Sequence, residues 1–481
     1  MDDLHARNKS KAMVSRHELE LRLDKTWYPE FHLAAPAGIL RQITGLVLFD
    51  TNVQIYYEHV PGNAEEGISV WGHATTHNFI DFEQQPIVLV PHERADSQGV
   101  CGGCVVGAND GSLWAFYTAQ DFKDPANPEA GYSESQHVAS STDGQNFSKL
   151  MQVIAPSQAS SMNSPKVWKQ DHEWFMILGG AKLDPIHPEQ PGSGVIWLYR
   201  AQEATGPWFA QGILFEDQDE SVVSIESPDL FYLDDHWVLS YTPVRKEPSG
   251  LINRNLHQSG YVVGQWDPAT GFTPETEYRV TDHGHNFARM QSVRFEGRRV
   301  ALGWMGTDHS QPSVKQAWAG QLSIARELRL DDSLRLRQSP VLKKRAMRYM
   351  EFSMVDEQRF ELVNSPVYQI SIKKETFRGD RFVMEVHASG EACTRIIWDA
   401  ATNLVSLDRG ATPHGERSVR HVALDPSRPK VDLQIIVDRC SVEVFVDDGE
   451  FVLSSLSFPY EDVSPNRITV EGGEGRVTVT T

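Results

Sequence analysis

Leu230-Phe-Tyr-Leu-Asp-Asp-His-Trp-Val-Leu-Ser-Tyr241 reads as a β-hairpin, with two runs of aromatic and aliphatic residues flanking an Asp-Asp pair that suits a tight reversal. The same pattern recurs on either side. Val167-Trp-Lys-Gln-Asp-His-Glu-Trp-Phe-Met-Ile177 precedes it, and Ser292-Val-Arg-Phe-Glu-Gly-Arg-Arg-Val-Ala-Leu-Gly-Trp304 follows it. Further upstream lie Leu46-Val-Leu-Phe-Asp-Thr-Asn-Val-Gln-Ile-Tyr-Tyr57 and Val105-Val-Gly-Ala-Asn-Asp-Gly-Ser-Leu-Trp-Ala-Phe-Tyr117. The five units begin at 46, 105, 167, 230 and 292, so the steps are 59, 62, 63 and 62 residues. Pro165 and Pro228 each precede an Asp by six residues and a Trp by nine. A unit repeated five times at a near-constant step predicts five four-stranded blades around an axis, rather than a run of hairpins in one large sandwich.

Beyond about residue 340 the spacing shortens. Tyr368–Ile372, Arg381–Val386, Val431–Val437, Ser441–Val446 and Phe451–Leu456 read as short strands, and Asp448-Gly449 as a hairpin turn. The expected architecture is all-β: a five-bladed β-propeller over 27–340, a charged linker at 341–350 containing Lys343-Lys-Arg-Ala-Met-Arg348, and a β-sandwich over 351–481. Residues 1–26 read as a short helix or an extended arm.

Composition narrows the functional classes. The 481 residues allow about two to four domains. The net charge of −20 disfavours nucleic acid and anionic membrane surfaces as partners. No apolar run is long enough to span a membrane, and the charged N-terminus has no secretory pattern. Cys101, Cys104, Cys393 and Cys440 are too few for a disulfide scaffold, so a reducing, cytoplasmic setting is expected. No cofactor is implied. The Cys101-Gly-Gly-Cys104 pair lacks the context of a redox or zinc motif and reads as small residues filling a strand. His283 and His285 read as channel hydrogen-bonding groups rather than metal ligands.

In a propeller, the strand entering each hairpin lines the central channel, and polar residues there converge on one pocket. Those stretches are Arg41-Gln-Ile-Thr44, Cys101–Cys104, Asn163-Ser-Pro165, Glu226-Ser-Pro228 and Asp282–Arg289. With them the chain resembles glycoside hydrolase family 32, the invertase and sucrose-6-phosphate hydrolase type, nearly end to end. The resemblance is carried by His32–Gly38, Trp71-Gly-His-Ala74, Pro165-Lys-Val-Trp168, Glu226-Ser-Pro-Asp-Leu-Phe231, Gly303-Trp-Met-Gly306, Arg326-Glu-Leu328 and Asp438-Arg-Cys-Ser-Val-Glu-Val-Phe445.

That resemblance implies retaining hydrolysis of β-fructofuranosides, which needs a nucleophile and an acid/base on either side of the bond. It also implies a third carboxylate that grips sugar hydroxyls. The family's nucleophile lies in Trp-Met-Asn-Asp-Pro-Asn-Gly. Here the stretch is Ile39-Leu-Arg-Gln-Ile-Thr-Gly45, with Gln42 at the nucleophile position. The family's Arg-Asp-Pro is Asn163-Ser-Pro165, with Ser164 in place of the third carboxylate. Glu226 keeps the acid/base position, and Glu58 stands where the family has a pocket Gln. An amide cannot form the glycosyl ester, so the expectation is a sugar-binding protein that has lost classical hydrolysis, with a loss of roughly 10⁴- to 10⁶-fold. One alternative is an enzyme with a rebuilt site that uses Glu226 as acid/base, with Glu58 or a water, on a glycoside or other non-fructose small molecule, and the other is a non-catalytic structural or regulatory partner. The expected ligand contacts are Arg41, Gln42, Thr44, Trp71, His73, Asn163, Ser164, Asp282, Arg289 and Gln291. Arg41 and Arg289 point to an anionic sugar-like ligand, unless they form internal salt bridges to Glu58 and Glu226. The resemblance also implies a homo-oligomer paired through the sandwich.

Overall fold

The computed structural model describes residues 3–156, 160–183, 192–307, 311–342, 350–354, 359–361, 368–373, 378–427, 431–460 and 467–480. Asp3–Glu20 is an α-helix of 18 residues. It lies across the first blade, with Asn8 Nδ2 donating to Pro91 O (2.9 Å) and Arg16 Nη1 to Gln85 O (3.3 Å). Most of the expected linker, 343–349, lies outside the described residues.

The five hairpins are the first two strands of five antiparallel sheets. Blade 1 is Gly38–Phe49, Asn52–Val60, Val70–Thr76 and Glu83–Leu89; blade 2 is Gly99–Gly107, Leu113–Phe122, Tyr132–Ser141 and Ser148–Ile154. Blades 3 and 4 begin at Ser160–Gln170 and Ser224–Leu233, and blade 5 pairs Ala288–Phe295, Arg298–Met305, Arg326–Leu330 and Leu336–Pro340. The turns carry the left-handed residues that hairpin twist requires, among them Asp50 (φ 54°), Asp171 (φ 55°) and Asp234 (φ 47°). The short strand Trp318–Ala319 returns to pair in parallel with Gly38 and Ile39, tying the end of the propeller to its first strand. Leu40, Ile55, Leu302 and Trp304 are buried where blades 1 and 5 meet.

One irregularity recurs in every blade. The innermost strand carries a bulge at the same level: between Leu40 and Gln42, Val100 and Gly103, Asn163 and Lys166, Glu226 and Asp229, and Ala288 and Gln291. Three of these bulges hold a non-glycine residue in the left-handed region: Ser164 (φ 53°), Ser227 (φ 47°) and Arg289 (φ 54°). The amides of Ser164 and Arg289 each donate to a threonine hydroxyl on the preceding blade, Thr118 Oγ1 (3.0 Å) and Thr242 Oγ1 (2.9 Å).

The C-terminal sandwich closes over a core that includes Ile370, Phe382, Trp398, Leu407 and Val444. Its last strand, Arg467–Thr480, pairs with Arg378–Ser389 in one sheet and with Tyr368–Ile372 in the other. A buried ionic network joins sandwich to propeller. Arg326, fully buried, donates to Asp282 Oδ2 (2.9 Å), Glu443 Oε2 (2.7 Å) and Ser454 Oγ (2.7 Å), and its guanidinium lies 4.1 Å from the Phe287 ring centroid. His32 bridges Asp438 (Nδ1, 2.7 Å) and Glu443 (Nε2, 2.9 Å). Asp282, His283 and His285 therefore belong to the domain interface and not to the channel. His283 N donates to Val452 O (2.7 Å), and His285 Nδ1 lies 3.1 Å from Ser455 Oγ. At Gly284 a Cβ would fall 2.0 Å from Ser454 O, so only glycine admits this approach.

Arg326→Leu leaves the buried Asp282 without its guanidinium and takes from Glu443 one of its two cationic partners, and is expected to cost about 3–5 kcal/mol, read as a lowered urea midpoint; an unchanged midpoint refutes the role. Burial alone would push His32 down, but its hydrogen bonds to Asp438 and Glu443 and their charges lift it to about 9. The folded pKa lies above the free value of 6.5, so this stabilisation is full below pH 6.5 and is lost as pH rises through about 9. Tm is expected to fall over that window, and His32→Gln to flatten the fall.

Candidate active site

The bulges open onto one cavity of about 810 Å³ at the end of the propeller where the innermost strands begin. A regular strand turns only alternate side chains to one face. Here consecutive residues line the same wall: Arg41 with Gln42, Cys101 with Gly102, and Asn163 with Ser164. The extra residue of each bulge re-aims the chain and makes this possible.

Of the residues expected to contact ligand, Arg41, Gln42, Asn163, Ser164 and Arg289 line the cavity, together with Glu58 and Glu226. The others do not reach it. Thr44 is fully buried, and His73 is buried with its ring stacked on Tyr56 and its Nε2 2.8 Å from Gln54 Oε1. Trp71 is a buried brace whose Nε1 donates to Cys101 O (2.7 Å). Gln291 Nε2 donates to Ile43 O and Gly103 O (both 3.0 Å), binding three blades at the axis. Asp282 is taken by Arg326.

Gln42 is held at both ends. Its Nε2 donates to Glu58 Oε2 (2.7 Å) and its Oε1 accepts from Ser227 Oγ (2.9 Å). Glu58 also accepts from Ser69 Oγ (2.7 Å) and lies 3.6 Å from Arg41 Nη1, so both its oxygens are occupied. Gly102 leaves the space that brings these groups together, since a Cβ there would lie 2.6 Å from Ser164 Oγ and 3.0 Å from Gln42 Nε2.

Glu226 faces a guanidinium and an imidazole. Arg289 Nε donates to its Oε2 (2.9 Å), His257 Nδ1 lies 3.1 Å from the same oxygen, and the guanidinium of Arg289 rests 4.9 Å from the Trp304 ring centroid. Burial would raise the Glu226 carboxyl, but Arg289 and His257 overcome it and hold the group ionised far below the usual carboxylate range. The salt-bridge reading of both arginines is thus the one observed, which removes the argument for an anionic ligand.

Sequence reasoning missed Glu134, at the start of the third strand of blade 2. It lines the cavity, accepts from Gln120 Nε2 (3.1 Å), and is bonded to Asn163. Burial, with the negative charge of Glu226, raises its pKa against the hydrogen bonds from Gln120 and Asn163. Its sequence signal is faint: one carboxyl, inside a run of polar residues, at the mouth-side start of a strand. The other missed lining groups are Thr118, Gln120, Thr307, Gln311 and the rim pair Glu65 and Glu66. Among the described residues no cluster of three or more His, Cys, Asp or Glu could hold a metal ion, and no helix is long and apolar enough to cross a membrane.

Comparison with known proteins places this geometry. Residues 32–340 match the glycosyl hydrolases family 32 N-terminal domain, and residues 335–481 match the family 32 C-terminal domain. A sucrose-6-phosphate hydrolase of Zymomonas mobilis is 30% identical over 94% of this chain and 91% of its own length. A raffinose invertase of Escherichia coli is 31% identical over 94% of each chain. Among solved structures, the fold matches a β-fructofuranosidase of Bombyx mori in complex with sucrose (TM-score 0.85, 23% identity, 100% of this chain and 98% of that one). It matches the sucrose-6-phosphate hydrolase of Lactobacillus gasseri equally well (TM-score 0.86, 20% identity, 98% and 96%). These relatives overturn the expectation of a sugar binder that has lost hydrolysis, and with it the non-catalytic partner; similarity of this extent to named hydrolases points to an active glycosidase. The chain belongs to glycosyl hydrolase family 32.

Proposed function

We propose that this protein hydrolyses the β-fructofuranosidic bond of a small sugar through a rebuilt carboxyl set, with Glu134 as proton donor and Glu226 as the opposing carboxylate. The observation that carries the reading is that two carboxyls in contrasting surroundings face one cavity, Glu226 against Arg289 and His257, and Glu134 against amides in a buried setting that raises its pKa. Environments that push two carboxyls apart in this way assign the acid and the base. The names of the relatives support the substrate class.

The roles follow from the chemistry. Glu134 gives its proton to the glycosidic oxygen as the bond to the anomeric carbon breaks, so the leaving alcohol departs neutral. The positive charge that develops on the fructosyl ring is met by the Glu226 carboxylate. Water then supplies the hydroxyl. Its proton goes to Glu226 in a single displacement, or to the newly ionised Glu134 if a fructosyl ester has formed on Glu226; the anomer first released distinguishes the two routes. Gln42 needs no chemistry here, since its amide holds Glu58 in place. We take the setting to be cytoplasmic, supported by four cysteines that are all free.

Hydrolysis of sucrose, sucrose 6-phosphate and p-nitrophenyl β-fructofuranoside tests the reading, and a native chain inert on all three refutes it. Glu134→Gln is expected to slow sucrose hydrolysis by about 10²- to 10⁴-fold. It should slow the aryl fructoside far less, because that leaving group needs no proton. Glu226→Gln is expected to abolish both, by roughly 10⁴- to 10⁶-fold.

The pH profile has a definite sign. Activity requires Glu134 protonated, so it falls as pH rises through that group's raised pKa. It also requires Glu226 ionised, so the acid limb lies below the ordinary carboxylate range. Arg289→Met is expected to move the acid limb to higher pH, and an unmoved limb means that Arg289 does not hold the charge of Glu226.

A further inference from the structure

The hairpin that carries Glu134 continues past the cavity. Its strands Leu113–Phe122 and Tyr132–Ser141 pair Gln120 with Glu134 and, two residues further out, Phe122 with Tyr132. Side chains two apart on a strand share a face, and the step is about 6.5–7 Å. The second pair therefore extends the wall formed by the first, outward from the cavity and on the same side of the ribbon. Phe122 and Tyr132 are stacked, with ring centroids 5.6 Å apart and planes 18° from parallel, yet Tyr132 remains 50% exposed. The tip beyond is itself ordered. Lys123 N donates to Gly131 O (2.9 Å), and Asp124 Oδ1 accepts from Ala126 N (2.9 Å), so the aromatic pair is not needed to close the turn.

We propose that the Phe122–Tyr132 pair is a second leaving-group subsite, stacking the apolar face of a pyranose ring one unit beyond the ring whose oxygen Glu134 protonates. This rests on the reading of Glu134 as the acid. A proton donor to the glycosidic oxygen stands on the leaving-group side, so the ribbon that bears it borders the leaving group. The first pyranose lies by Gln120 and Glu134; a second lies where the exposed aromatic faces begin. Tyrosine suits the place, because it offers a broad apolar face at small rotamer cost.

The test compares kcat/KM for raffinose and for sucrose in the native enzyme, Tyr132→Ala and Tyr132→Phe. The raffinose-to-sucrose ratio is expected to fall about three- to tenfold in Tyr132→Ala and to be restored by Tyr132→Phe, which keeps the ring. An unchanged ratio, or equal losses on both sugars, overturns the subsite. Calorimetric binding of the two sugars to Glu134→Gln, with and without Tyr132→Ala, decides the same point without turnover. There the affinity ratio must fall by the same factor, and an unchanged ratio overturns the proposal. A native enzyme inert on both sugars refutes the hydrolase reading, and the binding ratio still decides the subsite.

Discussion

The site depends on the bulge in each innermost strand. Around a propeller axis five strands begin close together, and a regular pleat would send every second side chain away from the axis. The added residue breaks that alternation, so three strands each bring two successive residues to the cavity. The left-handed conformations of Ser164, Ser227 and Arg289 cost of order 1–3 kcal/mol each. The fold offsets this with hydrogen bonds it could not otherwise make: the amides of Ser164 and Arg289 reach threonines on the neighbouring blade, and the hydroxyl of Ser227 reaches Gln42. Strain at the axis and polar convergence on the cavity are one feature.

Convergence decides the chemistry more than any one position does. Taken alone, Gln42 and Ser164 remove two carboxylates from the places where the family resemblance expects them. In the folded protein Glu58, Glu134 and Glu226 still face the cavity, each in different surroundings. Glu58 has both oxygens occupied by Gln42 and Ser69. Glu226 has a guanidinium and an imidazole against one oxygen. Glu134 takes hydrogen bonds from Gln120 and Asn163, but burial and the negative charge of Glu226 outweigh them and raise its pKa.

The contrast shows what the sequence made legible. The five hairpins could be read because each is local: apolar runs and turn residues within a dozen positions dictate the element, and the constant step dictates the ring. The bulged stretches could be read as channel-lining because they precede those hairpins. What could not be read depends on distant pairings. Glu134 meets Asn163 of the next blade and feels Glu226 of blade 4. Trp71 and His73 sit within a motif that resembles the family's, and Thr44 and Gln291 were expected at the ligand, yet all four are buried and brace the blades. Asp282, His283 and His285 precede the last innermost strand and so looked like channel residues, but their partners lie on a sandwich strand more than 150 positions away.

That misplaced segment links the two domains to the chemistry. Asp282 and Asn286 bind the strand Phe451–Leu456 through Ser454 N (2.9 Å) and Ser454 O (3.0 Å), and Arg326 adds its charge from beneath. Three residues after Asn286 the chain reaches Arg289, whose left-handed backbone and guanidinium fix the state of Glu226. Over so short a span the chain has little freedom, so the sandwich sets where Arg289 begins. The C-terminal domain contributes no lining residue to the cavity among the described residues, yet its edge is the anchor against which the ion pair of the active site is aligned.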